Sequence, residues 1–216
     1  FFDLFIKEAR EFSEWLYSNE QIQSDRRLLD KLRWMDSLAD IELPNIIYVN
    51  GFGNHPSEKR LAELREKVFH DGCEIVILSE ETCNITENAY VKRAYDKGDL
   101  PFVTGYFALK KIYETGGIYI HDDIRILNYF GYLKYRNAFF SMLDKTTYSE
   151  WVFGGLAGNE AIKSILKTYS EKWDYQLEYM PLSLRISIIL TAKYGIPQDG
   201  KTRLGGDIVS VVGPEL

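Results

Sequence analysis

Cysteine is scarce in this chain: two in 216 residues, Cys73 and Cys83. Two thiols cannot build the disulfide framework of a small secreted domain, and both read as packing residues. Basic charge is also in short supply. The 26 Lys and Arg stand against 32 Asp and Glu, a formal net charge of −6. An acidic chain with no basic block excludes nucleic acid as the expected partner, because phosphate contacts need clustered cations. Long apolar runs are missing. Nothing approaches the roughly 18 consecutive apolar residues of a membrane span, so none is expected. Ile188-Ile189-Leu190 is typical of the longest runs. The opening FFDLFIKEAREF has no basic leader and is interrupted by Asp3 and Lys7, so it does not read as a signal peptide.

What is present is ordinary for a globular protein: 45% hydrophobic and 27% charged residues. That excludes a disordered chain and bounds the architecture at one large domain or two small ones. Aromatics are plentiful, with 15 Tyr. The chain begins at Phe1 rather than Met and stops at Gly213-Pro214-Glu215-Leu216, which reads as a piece of a longer polypeptide. Other domains of that polypeptide are then expected partners.

Residues 1–42 read as a helical extension or linker. Phe2, Phe5, Ile6, Ala9, Phe12 and Leu16 share one helical face, and Leu28, Leu29, Leu32, Met35 and Leu38 form a second stripe. The mixed charge of the polar face argues against a membrane-surface helix. A domain over 43–216 follows. Asn45 to Val49 reads as a strand entering a Gly/Asn loop at Asn50-Gly51-Phe52-Gly53-Asn54. Helices are expected over Ser57–His70, Tyr90–Lys97 and Phe102–Thr115, the last stopped by Gly116-Gly117. Strands are expected over Cys73–Leu78 and Ile118–Ile120. Strands alternating with helices predict an α/β fold with a mainly parallel sheet.

The strand Ile118–Ile120 ends in His121-Asp122-Asp123. Ligands of open α/β sheets collect at the carboxyl ends of strands. Alternation puts His121 and Asp123 on one face and Asp122 on the other. An imidazole and a carboxylate so placed suit a divalent cation, Mn²⁺ or Mg²⁺. A plain turn with an edge histidine satisfies the same spacing.

The stretch Phe102 to Tyr119, read together with this triplet, resembles the glycosyltransferases whose sugar-binding region contains a DXD motif. These occur in bacterial capsule and lipopolysaccharide clusters and as yeast Golgi mannosyltransferases. Asn84 to Tyr95, Pro44 to Gly53 and Val152 to Gly158 resemble further segments of the same family, in the same order. The resemblance covers about residues 43–170 and implies a GT-A-like, Rossmann-type domain that binds a nucleotide sugar. It implies a glycan or lipid-linked acceptor, as in capsule or lipopolysaccharide synthesis. It also implies a cytoplasmic location that extends to the inner face of the membrane. A cation at Asp123, helped by His121, would stabilise charge on the departing diphosphate. Donor contacts are implied at Asn50, Gly51, Phe52, Thr104, Gly105, Ala108 and Asp122; no catalytic residue is assigned.

Several of these positions depart from the family. His121 stands for the first Asp of the motif, Thr104-Gly105 for a Ser-Asp pair, Ala108 for an Arg, and Gly51 for an aromatic residue. A change of donor would produce this pattern. So would a catalytically silent domain with a structural or docking role. Secondary candidates are Asn54 for a base, Trp151, Trp173 and Tyr175 for stacking on sugars, and the loop Lys201–Gly206 for a diphosphate. Each has a plainer reading as turn, core or solvated loop. His55 and His70 have no partner visible in the sequence.

Overall fold

The computed structural model describes residues 42–69, 72–126, 133, 136–170, 179–199, 201 and 210–212. The helical extension, apart from Glu42, lies outside these residues, as do His70, Trp173, Tyr175 and residues 202–206.

Three parallel strands make one half of the sheet: β1 (Ile46–Asn50), β2 (Glu74–Leu78) and β3 (Gly117–Ile120). Helix α1 (Glu58–Lys67) joins β1 to β2. A 3-10 turn (Ile85–Glu87), α2 (Ala89–Asp96) and α3 (Leu100–Thr115) join β2 to β3. Each helix starts where a side chain satisfies an orphan backbone donor. Ser57 accepts from the Arg60 N–H, Asn88 from Tyr90 and Val91, and Asp99 from Phe102.

The other half is a hairpin, β4 (Ala138–Met142) and β5 (Tyr148–Gly155), with β6 (Ser210–Val212) beside β4. Helices α4 (Glu160–Leu166) and α5 (Leu182–Tyr194) lie between β5 and β6 in the chain. Among the described residues the strands form one sheet in the order β2-β1-β3-β5-β4-β6. The parallel expectation holds for β1–β3 and for β4 with β6. It fails for β5, which runs antiparallel to both β3 and β4.

Alternation along the strands sorts the core onto two faces. Ile47, Val49, Ile118 and Ile120 pack with Leu61, Leu64 and Val68 of α1 and its end. Tyr48, Tyr119, Phe140 and Phe153 pack with Val91, Phe107, Ile162 and Ile186 from the helices on the opposite side. Each fully buried side chain of this size contributes about 1.5–3 kcal/mol. β3 begins close against β1 because Gly117 has no side chain. A Cβ there would lie 2.7 Å from the Ile46 carbonyl, and its φ of +119° is open only to glycine. Among the described residues no helix is long and apolar enough to cross a membrane.

Candidate functional site

β1 lies between β2 and β3, so the strand order reverses at its carboxyl end. A cavity of about 160 Å³ opens there. Asn50 comes from β1, and Leu100, Pro101, Thr104 and Gly105 from the first turns of α3. Tyr119 and His121 come from β3 and its end, Glu150 from β5, and Leu182 from α5. A dry cavity of roughly 150 Å³ holds one benzene, so this one is sized for a single six-membered ring.

Four residues singled out in the sequence therefore meet at one cavity: Asn50, Thr104, Gly105 and His121. The Asn50 Oδ1 accepts from the Thr104 hydroxyl at 2.9 Å and from the Phe52 N–H at 3.1 Å. Two donors on one atom fix the amide orientation. The Asn50 Nδ2 makes only a long contact of 3.4 Å to the Phe52 carbonyl, which leaves donor capacity for a ligand.

Three other donor positions lie outside the lining of this cavity. Phe52 is buried against Tyr95 and Phe107 and does not line the cavity. Ala108 is 0% exposed within the same core, so a side chain there meets packed residues rather than a ligand. Gly51 packs against β2. A Cβ would lie 2.3 Å from the Ile77 Cγ2 and 3.1 Å from the Leu78 carbonyl, so no aromatic residue fits. Gly105 does line the cavity, and a side chain there would have to displace the ends of two neighbouring side chains. Its Cβ would sit 2.7 Å from the Tyr169 hydroxyl and 3.1 Å from the Leu182 Cδ2.

The triplet divides as alternation requires. His121 follows Tyr119 onto the cavity side, where its ring stacks on Trp151 with centroids 5.9 Å apart. The sugar-stacking candidate Trp151 thus stacks on a histidine. The His121 Nδ1 accepts the Asp123 N–H at 3.2 Å. In the neutral ring the proton then resides on Nε2. In that tautomer Nε2 carries a hydrogen-bond donor. The Asp123 carboxylate stands 3.6 Å from the same Nδ1, and its side chain is 82% exposed. Asp122 lies on the α1 side and does not line the cavity. Its Oδ1 is buried without a hydrogen-bond partner among the described residues. Burial raises its pKa, and the neighbouring Asp123 adds to the rise, against the pull of His121 and Arg60. Among the described residues no group of three or more His, Cys, Asp or Glu could hold a metal ion.

Two polar residues of the cavity escaped the sequence reading. Tyr119 is 2% exposed, and its hydroxyl has no hydrogen-bond partner among the described residues. Burial, with the charges of Asp122 and Glu150, raises its pKa and keeps it protonated. Glu150 accepts the Ser183 N–H on Oε2 at 3.0 Å and so caps α5, whose N-cap residue Pro181 provides no side-chain cap. Behind this wall the fully buried Arg185 donates to the carbonyls of Met180 and Thr168. Its guanidinium lies 4.3 Å from the Tyr169 ring centroid and 5.1 Å from that of Phe102, which ties α5 to α3. Of the remaining candidates, Asn54 and His55 are exposed on the loop after β1.

No protein-family model matches the chain, and no curated protein does. A solved structure of PaToxG glycosyltransferase does match, over 89% of this chain and 80% of that one, with a TM-score of 0.56 and 14% identity. At that identity the likeness is one of fold, and the fold is a glycosyltransferase-like Rossmann architecture.

Proposed function

We propose that this chain is a glycosyltransferase domain that binds a nucleotide sugar at the carboxyl ends of β1 and β3. It passes the sugar to a glycan or lipid-linked acceptor of the capsule or lipopolysaccharide kind. The observation that carries this reading is the cavity. It is ring-sized, it sits at the strand-order reversal of a glycosyltransferase-like fold, and it is lined by Asn50, Thr104, Tyr119, His121 and Glu150.

As the glycosidic bond breaks, negative charge grows on the diphosphate and the sugar becomes oxocarbenium-like. His121 would donate from Nε2 to a diphosphate oxygen, held in place by the Trp151 stack and the Asp123 N–H. Asn50 and Thr104 form a preorganised polar pair beside the sugar. A cation fits at Asp123 in one form only. Mg²⁺ and similar ions often take one or two carboxylates and complete their shell with substrate phosphates and water. Asp123, exposed beside His121, supplies such a carboxylate, and the bound ion would neutralise charge on the leaving group.

The absence of a charged side chain at Gly105 and Ala108 favours a second reading, a silent domain that docks within a larger enzyme. Turnover separates the two. Nucleoside diphosphate release from UDP-glucose, UDP-N-acetylglucosamine and GDP-mannose, with water taking the sugar where no glycan acceptor is supplied, is to be measured with and without Mn²⁺. An active domain releases diphosphate from at least one donor, and Asp123→Ala removes most of the metal-dependent rate. No release from any donor would favour the silent domain.

A further inference from the structure

We infer that Glu150 recognises the hydroxyl groups of the transferred sugar, supplying from β5 the carboxylate that α3 lacks at Gly105. The inference rests on the reading of the cavity as the donor site.

The first support is the backbone of β5. Phe140 pairs with Phe153, yet Met142 pairs with Tyr148, so two steps along β4 answer five along β5. This irregularity breaks alternation: Tyr148 and Phe153, an odd number of residues apart, both enter the same core cluster. It is held by hydrogen bonds of its own. The Ser149 hydroxyl oxygen accepts the Trp151 N–H at 3.0 Å, and the Ser141 hydroxyl donates to the Val152 carbonyl at 2.7 Å. Bulges next to functional sites re-aim side chains, and here Glu150 becomes a wall of the cavity.

The second support is how Glu150 is held. One carboxylate oxygen is fixed by the Ser183 N–H, and the other has no hydrogen-bond partner among the described residues. The hydroxyl of Tyr119, which lines the same cavity, is also without a partner among them. A fixed carboxylate oxygen next to a protonated phenol accepts from and donates to a polyhydroxylated ring. It repels a second carboxylate. The sugar class is therefore neutral, and a uronic acid is disfavoured. Gly105 lines the same cavity without a side chain, and a Cβ there would press on the Tyr169 hydroxyl and the Leu182 side chain.

The test is calorimetric binding to the whole chain of UDP-glucose, UDP-N-acetylglucosamine, GDP-mannose and UDP-glucuronic acid, with UDP and GDP as sugar-free references. For the wild type, a neutral nucleotide sugar is expected to bind more tightly than its free diphosphate, and UDP-glucuronic acid more weakly than UDP-glucose. Glu150→Gln keeps an oxygen for the Ser183 N–H, removes the charge and turns the other oxygen, an acceptor, into an NH2 donor. It should cut the affinity gained from the sugar at least tenfold and narrow the discrimination against the uronate. A sugar gain that survives Glu150→Gln, or UDP-glucuronic acid as the tightest ligand, would overturn the inference. Binding of UDP or GDP with no gain from any sugar would overturn it while leaving a nucleotide site. No binding of any compound would overturn the donor-site reading, and this inference with it. Should the variant not fold, the discrimination shown by the wild type decides.

Discussion

Asp122 carries a buried carboxylate oxygen with nothing to accept from among the described residues, and such a group is costly to keep. Its pKa is raised by burial and by Asp123. For an acid whose folded-state pKa is raised, both states are protonated below the unfolded value, and no penalty applies there. As pH climbs from the unfolded value to the folded-state value the penalty builds, and above the folded-state value it stays constant. Asp122→Asn is thus expected to raise the melting temperature at neutral pH, with the gain fading as pH falls towards the ordinary aspartate value of 3.8. A lower melting temperature at pH 7 would show that the carboxylate stabilises the fold. The division between Asp122 and the His121 side was legible from alternation alone. The burial of Phe52 and Ala108 was not, because a motif position says nothing about which neighbours fill the space around it. Glu150 was missed because it carries no motif. Its position follows from the irregular pairing of β4 and β5, which the sequence did not announce.

Among the elements, α1 has a task beyond covering the sheet. Its Arg60 donates from Nη2 to the Ile124 carbonyl at 2.5 Å and, more weakly, to that of His121 at 3.4 Å. Its Lys67 donates to the Ile126 carbonyl at 3.1 Å. Two cations on one helix thereby pin the segment that presents the His-Asp-Asp triplet. Arg60→Ala should cost about 1–3 kcal/mol, the range for losing charged hydrogen bonds to partners left partly buried. It should also speed amide hydrogen exchange in His121–Ile126. Lys92→Ala is the contrast, since its pair with Asp96 is exposed, and roughly 0.5 kcal/mol or less is expected. Equal effects from the two variants would contradict the pinning role. The elements from β1 to β3 were legible because caps, glycine stops and apolar periodicity agree there. Helix α1 ends at Lys67, before the expected His70, with Val68 as its C-cap. The strands β4 and β5 were not legible as strands, since the bulge in β5 removes the two-residue period that marks one.

At the scale of the molecule, the parallel half of the sheet and the antiparallel half meet at β3, and the cavity takes walls from both. The fold class was readable because four segments kept the order of the resembling family while the strands kept their alternation. The central claim is that a nucleotide sugar places its sugar ring in the cavity at the carboxyl ends of β1 and β3, and thermal unfolding of the whole chain against a panel of nucleotide sugars tests it most directly. A ligand that binds only the folded state, present at about 100 times its Kd, adds roughly 2.7 kcal/mol. For a chain of this size that raises the melting temperature by roughly 5–10 °C. The expected result is such a rise with at least one neutral nucleotide sugar, reduced in His121→Ala because the Nε2 donor is gone. No rise with any of them, or a rise that His121→Ala leaves untouched, would contradict the placement of the donor in this cavity.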